Sequence, residues 1–483
     1  MIRRTYKPEI TVLDLMKTPI SGADECCLLT SAELTKSYAA GSLSPVEVAE
    51  QALQRAEVAQ TICNAFTLID HEGALANARE SEARWKAGTP LSPVDGVPAT
   101  IKDIVSIKGW SVRYGSTLTP EAPCEADAPS VARMRAAGLC FLGMTTTPEF
   151  GWKAITDCRY SGITRNPWNT DLTPGGSSGG AAAAAAMGAG VFHLGSDGGG
   201  SIRIPSAFTG ISGIKPTFGR VPAFPASPFG SVAHIGPMCR RPEDVEAMLA
   251  VMSGRDLSDW FQGAAEFPAL TPQETTPKGK KIGVWRTPPS GYVESEVAAQ
   301  FEKTLADLEA AGAELIEFDL PMREQLLDIF NWHWISGARR RLDMLGDFDS
   351  TQVDPGVYQM AEQARDWRVS DYIAKVDLRA AYGTAMDRAL AEDFDYLVAP
   401  GAAVLPFTAG EELPENSGLS RWIEWAGFSY PINLSQQPAI SVPAGLSKAG
   451  LPHSLQIIAG RGKDSEVIAL AKWWAARKPE YFL

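Results

Sequence analysis

Histidine, paired cysteine and clustered positive charge are scarce in this chain of 483 residues. It holds five histidines and seven cysteines with no CxxC spacing, so neither a disulfide framework nor a metal site of the zinc type is expected. Its 44 basic and 57 acidic residues give a net charge of -13. This balance argues against nucleic-acid binding, because such proteins need basic patches to neutralise phosphate. The arginine triplet at 339–341 is interpreted as a solvated helix face.

Long apolar runs are also missing. The first fifteen residues carry charges and lack the hydrophobic segment of a signal peptide. The longest run of small apolar residues, 181–194, is too short and too rich in alanine and glycine to span a bilayer. We therefore expect a cytoplasmic protein with no membrane attachment.

Helical and strand patterns alternate along most of the chain. Residues 44–47 (Ser-Pro-Val-Glu) form a capping box that precedes apolar residues at helical spacing. Short apolar segments predict strands near 99–105, 139–144, 281–285, 315–320, 396–398 and 439–443. This alternation favours an α/β fold in which helices cover a sheet. The aromatic-rich segment at about 321–430 is predicted to be a helical excursion that supplies core or a pocket wall.

Two segments rich in glycine and serine occupy the centre of the sequence. The first, residues 174–180, leads into six consecutive alanines, so a tight turn is expected at the N-terminus of a helix. In the second, three glycines directly precede Ser201. Glycines leave consecutive backbone N–H groups unobstructed, and such groups can stabilise the oxyanion of an acyl-transfer intermediate. Asp197 and Arg203 flank this turn and are predicted to clamp it.

The first segment alone permits two other interpretations. Gly175, Ser177 and Gly179 match the nucleophile elbow of α/β-hydrolases, but that enzyme type needs a histidine base later in the chain. His193 follows too closely and His453 is the best remaining candidate. A phosphate-binding loop would end in Gly-Lys-Ser/Thr, which is absent from this segment.

The two segments taken together resemble the amidase signature family. The resemblance is carried by residues 175–180, 197–205 and 213–217, by a lysine motif at 96–103, and by shorter motifs at 147–151, 165–168 and 437–443. It covers roughly residues 28–475. It implies a single large mixed β-sheet with helices on both faces, formed by an amidase domain at 28–483 after an N-terminal extension at 1–27. It also implies catalysis without a metal or organic cofactor.

Matched motif by motif, the resemblance assigns roles to individual residues. Ser201 is the expected nucleophile, Ser177 the bridging serine and Lys102 the base, with a cis peptide bond between Gly176 and Ser177. The remaining expected site residues are an oxyanion hole and a supporting group, namely the N–H groups of Gly198, Gly199, Gly200 and Ser201, and the side chains of Ser178, Asp197 and Arg203.

The lysine has the sequence context that its role requires. A serine hydroxyl is a weak nucleophile until a base takes its proton, and lysine accepts a proton only when it is neutral. Burial lowers the pKa of a lysine, and Lys102 lies between apolar residues of a predicted strand. Asp103 would point to the opposite face of that strand, so it need not hold Lys102 in its charged form.

The substrate is expected to be a small-molecule amide with an apolar or aromatic group. The proposed pocket residues are aromatics near family segments: Phe150, Trp152, Tyr160, Phe224 and Phe229. A homodimer is allowed. Two other functions stay open, the glutaminase (A) subunit of a tRNA-dependent amidotransferase and a non-catalytic binding protein on the amidase fold. Residues 156–160 and 427–430 favour a free-standing amidase over the first, and the presence of all three catalytic residues disfavours the second.

Overall fold

The helices of the N-terminal third begin where capping residues predict. The computed structural model describes residues 24–263, 267–271 and 273–482. Helix α1 (Ser31–Ala40) follows Thr30, and helix α2 (Pro45–Cys63) follows Ser44. Each cap forms the reciprocal bonds of a capping box, with Glu33 and Glu47 as partners. Ser44, Pro45 and Glu47 therefore confirm the helix start predicted from the sequence.

The other helices follow at intervals between the strands. They are α3 (His71–Lys86), α4 (Pro129–Ala136), α5 (Gly179–Ala186), α6 (Arg203–Thr209), α7 (Pro242–Met252), α8 (Ser295–Ala310), α9 (Leu326–Asp343), α10 (Pro355–Glu362), α11 (Val369–Arg388), α12 (Trp422–Trp425), α13 (Tyr430–Ser435) and α14 (Asp464–Arg477).

Eleven strands form one mixed sheet. The described residues contain thirteen strands in all, because two short ones lie outside this sheet. In chain order they are β1 (Phe66–Ile69), β2 (Pro98–Lys102), β3 (Cys140–Thr145), β4 (Asp157–Cys158), β5 (Gly162–Ile163), β6 (Phe192–Asp197), β7 (Ser212–Lys215), β8 (His234–Cys239), β9 (Lys281–Val284), β10 (Glu314–Glu317), β11 (Tyr396–Pro400), β12 (Ala439–Leu446) and β13 (Pro452–Ile458). The spatial order is β1-β3-β2-β6-β8-β7-β12-β13-β11-β9-β10, and β4 pairs only with β5.

The sheet is mixed because its parallel and antiparallel pairs are interspersed. Strand β2 runs parallel to both β3 and β6, whereas β6 runs antiparallel to β8. Strand β9 is parallel to β10 and β11. The β2–β6 pair brings the end of the strand that carries Lys102 beside the strand that ends at Asp197, which places both predicted motifs at one edge.

Helices cover both faces of the sheet. Side chains alternate between the two faces of a strand, and on β11 Val398 belongs to one hydrophobic cluster while Leu397 and Ala399 belong to the other. The first cluster includes buried residues of α4, α7 and α14, and the second includes residues of α6, α9 and α11. The α/β fold with a single large sheet covered on both faces is confirmed.

The aromatic-rich segment contains four helices, α9 to α12, and also strand β11 of the main sheet. Several of its aromatic side chains are buried, among them Trp334, Trp422 and Trp425. The expected N-terminal extension lies outside the described residues except for 24–27. Of these, Cys26 and Cys27 pack into the larger core cluster.

Candidate active site

Lys102 ends strand β2 and is fully buried. Its Nζ lies 2.7 Å from Ser177 Oγ, 2.9 Å from Ser178 Oγ and 3.0 Å from Ser196 Oγ. Burial holds the pKa of Lys102 well below its ordinary value, and the charge of Asp197 opposes this shift only in part. A neutral amine surrounded by hydroxyl groups can accept a proton from one of them.

Asp103 does not form an ion pair that would hold Lys102 in its charged form. Its carboxylate accepts the backbone N–H groups of Arg113 and Gly115 at 2.7 and 3.3 Å, and it forms no bond to Lys102. Burial raises the pKa of Asp103 to about 7. Lys102 and Asp103 are adjacent in sequence, but their side chains therefore lie in different environments.

The turn that carries Ser177 is held by hydrogen bonds between its backbone and the side chain of Thr156. The Gly176–Ser177 peptide bond is cis, as the sequence resemblance implied. Thr156 Oγ1 donates to the carbonyl of Gly175 at 2.8 Å and accepts the N–H of Gly179 at 3.0 Å. A side chain on Gly176 would meet the Ile155 carbonyl, so glycine is required for this close approach. Helix α5 starts immediately afterwards, and all eight of its residues are buried.

Ser201 lies on the second glycine-rich turn, between β6 and α6. Its side chain faces the same cavity as Ser177, and its backbone carbonyl accepts the N–H of Ser178 at 3.2 Å. This bond joins the two serine-bearing turns directly. The structure thus brings Lys102, Ser177, Ser178 and Ser201 together from three separate parts of the chain.

A buried ion pair fixes the second turn. Arg203 Nε and Nη2 each lie 3.0 Å from a carboxylate oxygen of Asp197, and Asn433 Nδ2 donates to the same carboxylate at 2.9 Å. Although burial alone raises it, the pKa of Asp197 is held below its ordinary value by the charge and hydrogen bonds of Arg203 and by Asn433. Asp197 and Arg203 therefore form the predicted ion pair across the turn, and Asn433, which no sequence motif indicated, is a further member.

One of the four expected oxyanion N–H groups already has a partner. The N–H of Gly200 donates to Asp197 Oδ1 at 2.8 Å, so it stabilises the turn and is not free to point at a ligand. No side chain fits on the two preceding glycines, because a Cβ on Gly198 or Gly199 would meet the ring of Trp334 or Phe330 at 2.8–2.9 Å. These rings explain why the chain has glycine at both positions.

The cavity that Ser177 and Ser201 share has a volume of about 160 Å³. Three of the five proposed pocket aromatics line it: Phe150, Phe224 and Phe229. The structure does not bring the other two into it. Trp152 lines a neighbouring cavity, and Tyr160 is partly exposed beneath the guanidinium of Arg113.

Two residues of helix α9 complete the cavity wall. Trp334 is sandwiched between Phe229 and Phe330, with ring centroids 4.1 and 5.3 Å away. Arg341 lines the cavity at the end of the same helix. The expectation that Arg341 lies on a solvated helix face is wrong, because the packing of helix α9 decides which arginine of the triplet turns toward the cavity.

The histidines do not form a serine–histidine relay. His193 is fully buried against Thr100 Oγ1 at 2.9 Å, and burial lowers its pKa to about 3. His453 lines a different, smaller cavity. His234 lines the main cavity, but its Nδ1 contacts the Val232 carbonyl at 2.9 Å and its Nε2 contacts Lys215. In the described part of the chain no hydrogen bond joins a histidine to either serine, which disfavours the elbow interpretation.

The described ranges lack two further kinds of feature. No group of three or more His, Cys, Asp or Glu side chains there is arranged to hold a metal ion. None of the helices in residues 24–263, 267–271 and 273–482 is long and apolar enough to cross a bilayer.

Comparison with known proteins identifies the family. The amidase family model matches residues 47–468, which is most of the chain. The chain belongs to the amidase family. An acylamidase from Rhodococcus erythropolis is 34% identical over 93% of this chain and 97% of its own length. The A-type subunit of a glutamyl-tRNA(Gln) amidotransferase from Symbiobacterium thermophilum is 32% identical over 93% of this chain and 96% of its own.

Among solved structures, a bacterial aryl acylamidase of the amidase signature family superposes with a TM-score of 0.84. It is 28% identical and the alignment covers 94% of this amidase and 97% of that chain. Sequence and structure comparisons agree along nearly the full length, so the protein is an amide-hydrolysing enzyme of this family.

Proposed function

We propose that this amidase cleaves its substrate through an acyl-enzyme on Ser201, with Ser177 as proton relay and Lys102 as base. The observation that carries the proposal is the buried Lys102 Nζ, 2.7 Å from Ser177 Oγ, in a site whose cavity also holds Ser201. Burial lowers the pKa of the lysine, so a proton acceptor is available next to the relay hydroxyl.

The reaction runs in two halves. Neutral Lys102 takes the proton of Ser177 as Ser177 takes that of Ser201, and Ser201 Oγ bonds to the amide carbonyl carbon. The C–N bond then breaks, and the leaving amine receives a proton back through Ser177. Water attacks the resulting ester by the same route, which releases the acid and restores the Ser201 hydroxyl.

Backbone N–H groups next to the nucleophile stabilise the negative charge that forms on the carbonyl oxygen. We assign this role to Gly198, Gly199 and Ser201. The N–H of Gly200 is bonded to Asp197, so it acts by shaping the turn. Asp197 and Arg203 are positioning residues, because they touch the loop and not the cavity's reacting groups.

The apolar wall supports a substrate with an apolar or aromatic portion. Phe150, Phe224, Phe229 and Trp334 line the cavity, and a cavity of roughly 150 Å³ is large enough to hold a benzene ring. A free-standing amidase fits this wall better than a glutaminase subunit does, because glutamine has no large apolar group to fill it. We propose Phe150, Phe224 and Phe229 as substrate contacts and leave out Trp152 and Tyr160.

The test compares three serine-to-alanine variants. Ser201→Ala is expected to abolish labelling by a fluorophosphonate probe and to lower kcat for p-nitroanilide hydrolysis by about 10⁴-fold or more. Ser177→Ala is expected to keep the nucleophile but to lose about 10²–10⁴-fold in rate with its proton relay. Ser206 is the control, since its buried hydroxyl donates to the Ile202 carbonyl at 2.8 Å and does not line the cavity.

Mass spectrometry of the labelled wild-type enzyme identifies the modified residue. Modification of Ser177 in place of Ser201 would mean that Ser177 is the nucleophile and Ser201 the proton relay. Undiminished turnover by Ser201→Ala would refute the mechanism, and an unlabelled, inactive wild-type protein would support the non-catalytic alternative. Glutaminase activity that appears only with a co-purified partner would support the amidotransferase alternative.

A further inference from the structure

Helix α9 presents one charged group to a cavity that is otherwise largely apolar. Trp334 and Arg341 lie seven residues apart, which is about two helical turns, so both reach the same cavity wall. The residue that precedes Arg341 in the sequence, Arg340, is exposed to solvent. Only one of these two adjacent arginines therefore faces the space in which Ser177 and Ser201 lie.

The guanidinium of Arg341 packs on aromatic rings. Its Cζ lies 4.0 Å from the centroid of Tyr114 and 4.7 Å from that of Phe150. Ring faces attract a cation but accept no strong hydrogen bond, so this packing orients the guanidinium without occupying its N–H donors. Its Nε is buried and has no hydrogen-bond partner.

Two fully or nearly buried arginines near the cavity, by contrast, have oxygen acceptors. Arg203 is paired with the carboxylate of Asp197, and Arg379 donates to the Leu434 carbonyl and to Ser231. Within the described residues, no carboxylate forms an ion pair with Arg341. Glu149 interacts with it electrostatically, but the Glu149 oxygens accept from Ser116 Oγ and from the N–H of Asp354.

A cation without a hydrogen-bond acceptor in an apolar wall costs free energy unless a ligand supplies the acceptor. Arginine stays charged at neutral pH, and removing a charge from water without a partner is unfavourable. Cation–π contacts offset part of this cost. The planar guanidinium matches a carboxylate with two parallel hydrogen bonds, and a carboxylate on the bound molecule would satisfy donors that the protein leaves open.

We propose that Arg341 is a specificity-determining residue that binds a carboxylate of the substrate, so that the enzyme prefers amides carrying both an apolar portion and an acidic group. This inference rests on the proposed function, since it assumes that the cavity of Ser177 and Ser201 receives the substrate. Asp197 also lines this cavity, but its carboxylate is paired with Arg203 and therefore does not neutralise Arg341.

Two pairs of substrates test the preference on either side of the scissile bond. Glutaryl-p-nitroanilide and valeryl-p-nitroanilide have equally long acyl chains and differ in a terminal carboxylate. N-acetyl-4-aminobenzoate and N-acetyl-4-methylaniline differ in the same way on the amine side. The acidic member of at least one pair is expected to have a kcat/KM about 10- to 100-fold higher, as hydrogen bonds to a charged partner predict.

Variants of the arginine pair assign this preference to one position. In Arg341→Met the ratio of acidic to neutral substrate is expected to fall to about one or below, whereas Arg341→Lys keeps part of it because the charge remains. Arg340→Met removes the same charge one residue away on the exposed side and is expected to leave the ratio unchanged. A ratio is measured within each variant, so a general loss of stability or activity cancels.

The outcomes separate this inference from the proposed function. The carboxylate site is overturned if the wild-type enzyme prefers the neutral member of both pairs, or if Arg341→Met has the same ratio of acidic to neutral kcat/KM as wild type. In either case, cleavage of the amides still supports the proposed function. If no amide is cleaved, the function fails, and binding of the four compounds to wild-type and Arg341→Met protein by calorimetry still decides the site. Tighter binding of the acidic members by wild type alone supports it; equal binding overturns it.

Discussion

Replacement of Lys102 by methionine tests the proposed base separately from every other part of the site. Methionine fills a similar volume at this fully buried position but cannot accept a proton. The three hydroxyls that surround Nζ at 2.7–3.0 Å lose their common partner. Loss of a positioned general base costs about 10²–10⁴-fold in rate, which corresponds to about 2.7–5.4 kcal/mol of activation free energy.

The pH dependence has a defined sign. Burial lowers the pKa of Lys102 from its ordinary value, and the proposed mechanism requires the neutral form, so wild-type kcat/KM is expected to rise with pH through the lowered pKa. The residual activity of Lys102→Met lacks this ionisation. Between the lowered and the ordinary pKa the unfolded chain binds more protons than the folded chain, so the contribution of Lys102 to stability also rises with pH.

The assay is initial-rate release of p-nitroaniline from pH 6 to 10, with urea unfolding at pH 7 and 9. Lys215→Met is the matched control, because Lys215 is also fully buried with a pKa lowered by burial, donates to the Pro216 and Gln437 carbonyls and does not itself line the cavity. Its contact with His234, which does line the cavity, touches none of the three proposed catalytic side chains. It is expected to lose stability but less than about tenfold in kcat/KM. A Lys102→Met enzyme that keeps more than about a tenth of the wild-type rate, or the wild-type pH profile, would refute the role of the lysine.

Two further predictions concern stability. Arg203→Met leaves the buried carboxylate of Asp197 without its ion partner and is expected to lower the free energy of unfolding in urea by about 3–5 kcal/mol; a loss below about 1 kcal/mol would show that the clamp is not structural. Gly180→Ala places a Cβ against the Thr146 backbone and is expected to lower the thermal midpoint at a cost of about 1–3 kcal/mol. Its counterpart Gly383→Ala, in helix α11 with nothing within 4 Å of the added Cβ, is expected to gain about 0.5–1 kcal/mol, and equal effects at the two positions would contradict this packing argument.

Local signals in the sequence predicted part of the secondary structure. Thr30 and Ser44 start helices because their caps involve residues only three positions apart, and the strand predicted near 281–285 is β9 (Lys281–Val284). Sheet order was not predictable in this way. The pairing of β7 with β12, for example, joins Lys215 to Ala439, and nothing local to either strand specifies a partner so distant in the chain.

The candidate site divides along the same line. Ser177, Ser201 and Lys102 could be found because each lies in a motif of its own segment. The pocket walls were predicted only in part: Phe150, Phe224 and Phe229 line the cavity. A residue near a motif in sequence can also lie outside the cavity, as Trp152 and Tyr160 do. The position of Arg341 in the cavity wall could not be predicted either, because it depends on the rotation of helix α9 against the rings of residues 114 and 150.

The run of alanines in helix α5 has a consequence for how this enzyme can change. All six are fully buried. Four of them pack beside residues of β8 and the turn that carries Ser201, and the other two pack on α2. A side chain that ends at Cβ has no rotamers through which to absorb a neighbour's change, so any enlargement there moves the backbone that bears Ser177. The cavity, by contrast, is lined by larger side chains, among them Phe150, Phe229 and Trp334. Inherited variation in such a protein should therefore accumulate around the substrate and spare the helix behind the catalyst, which lets new specificities arise on an unchanged reaction.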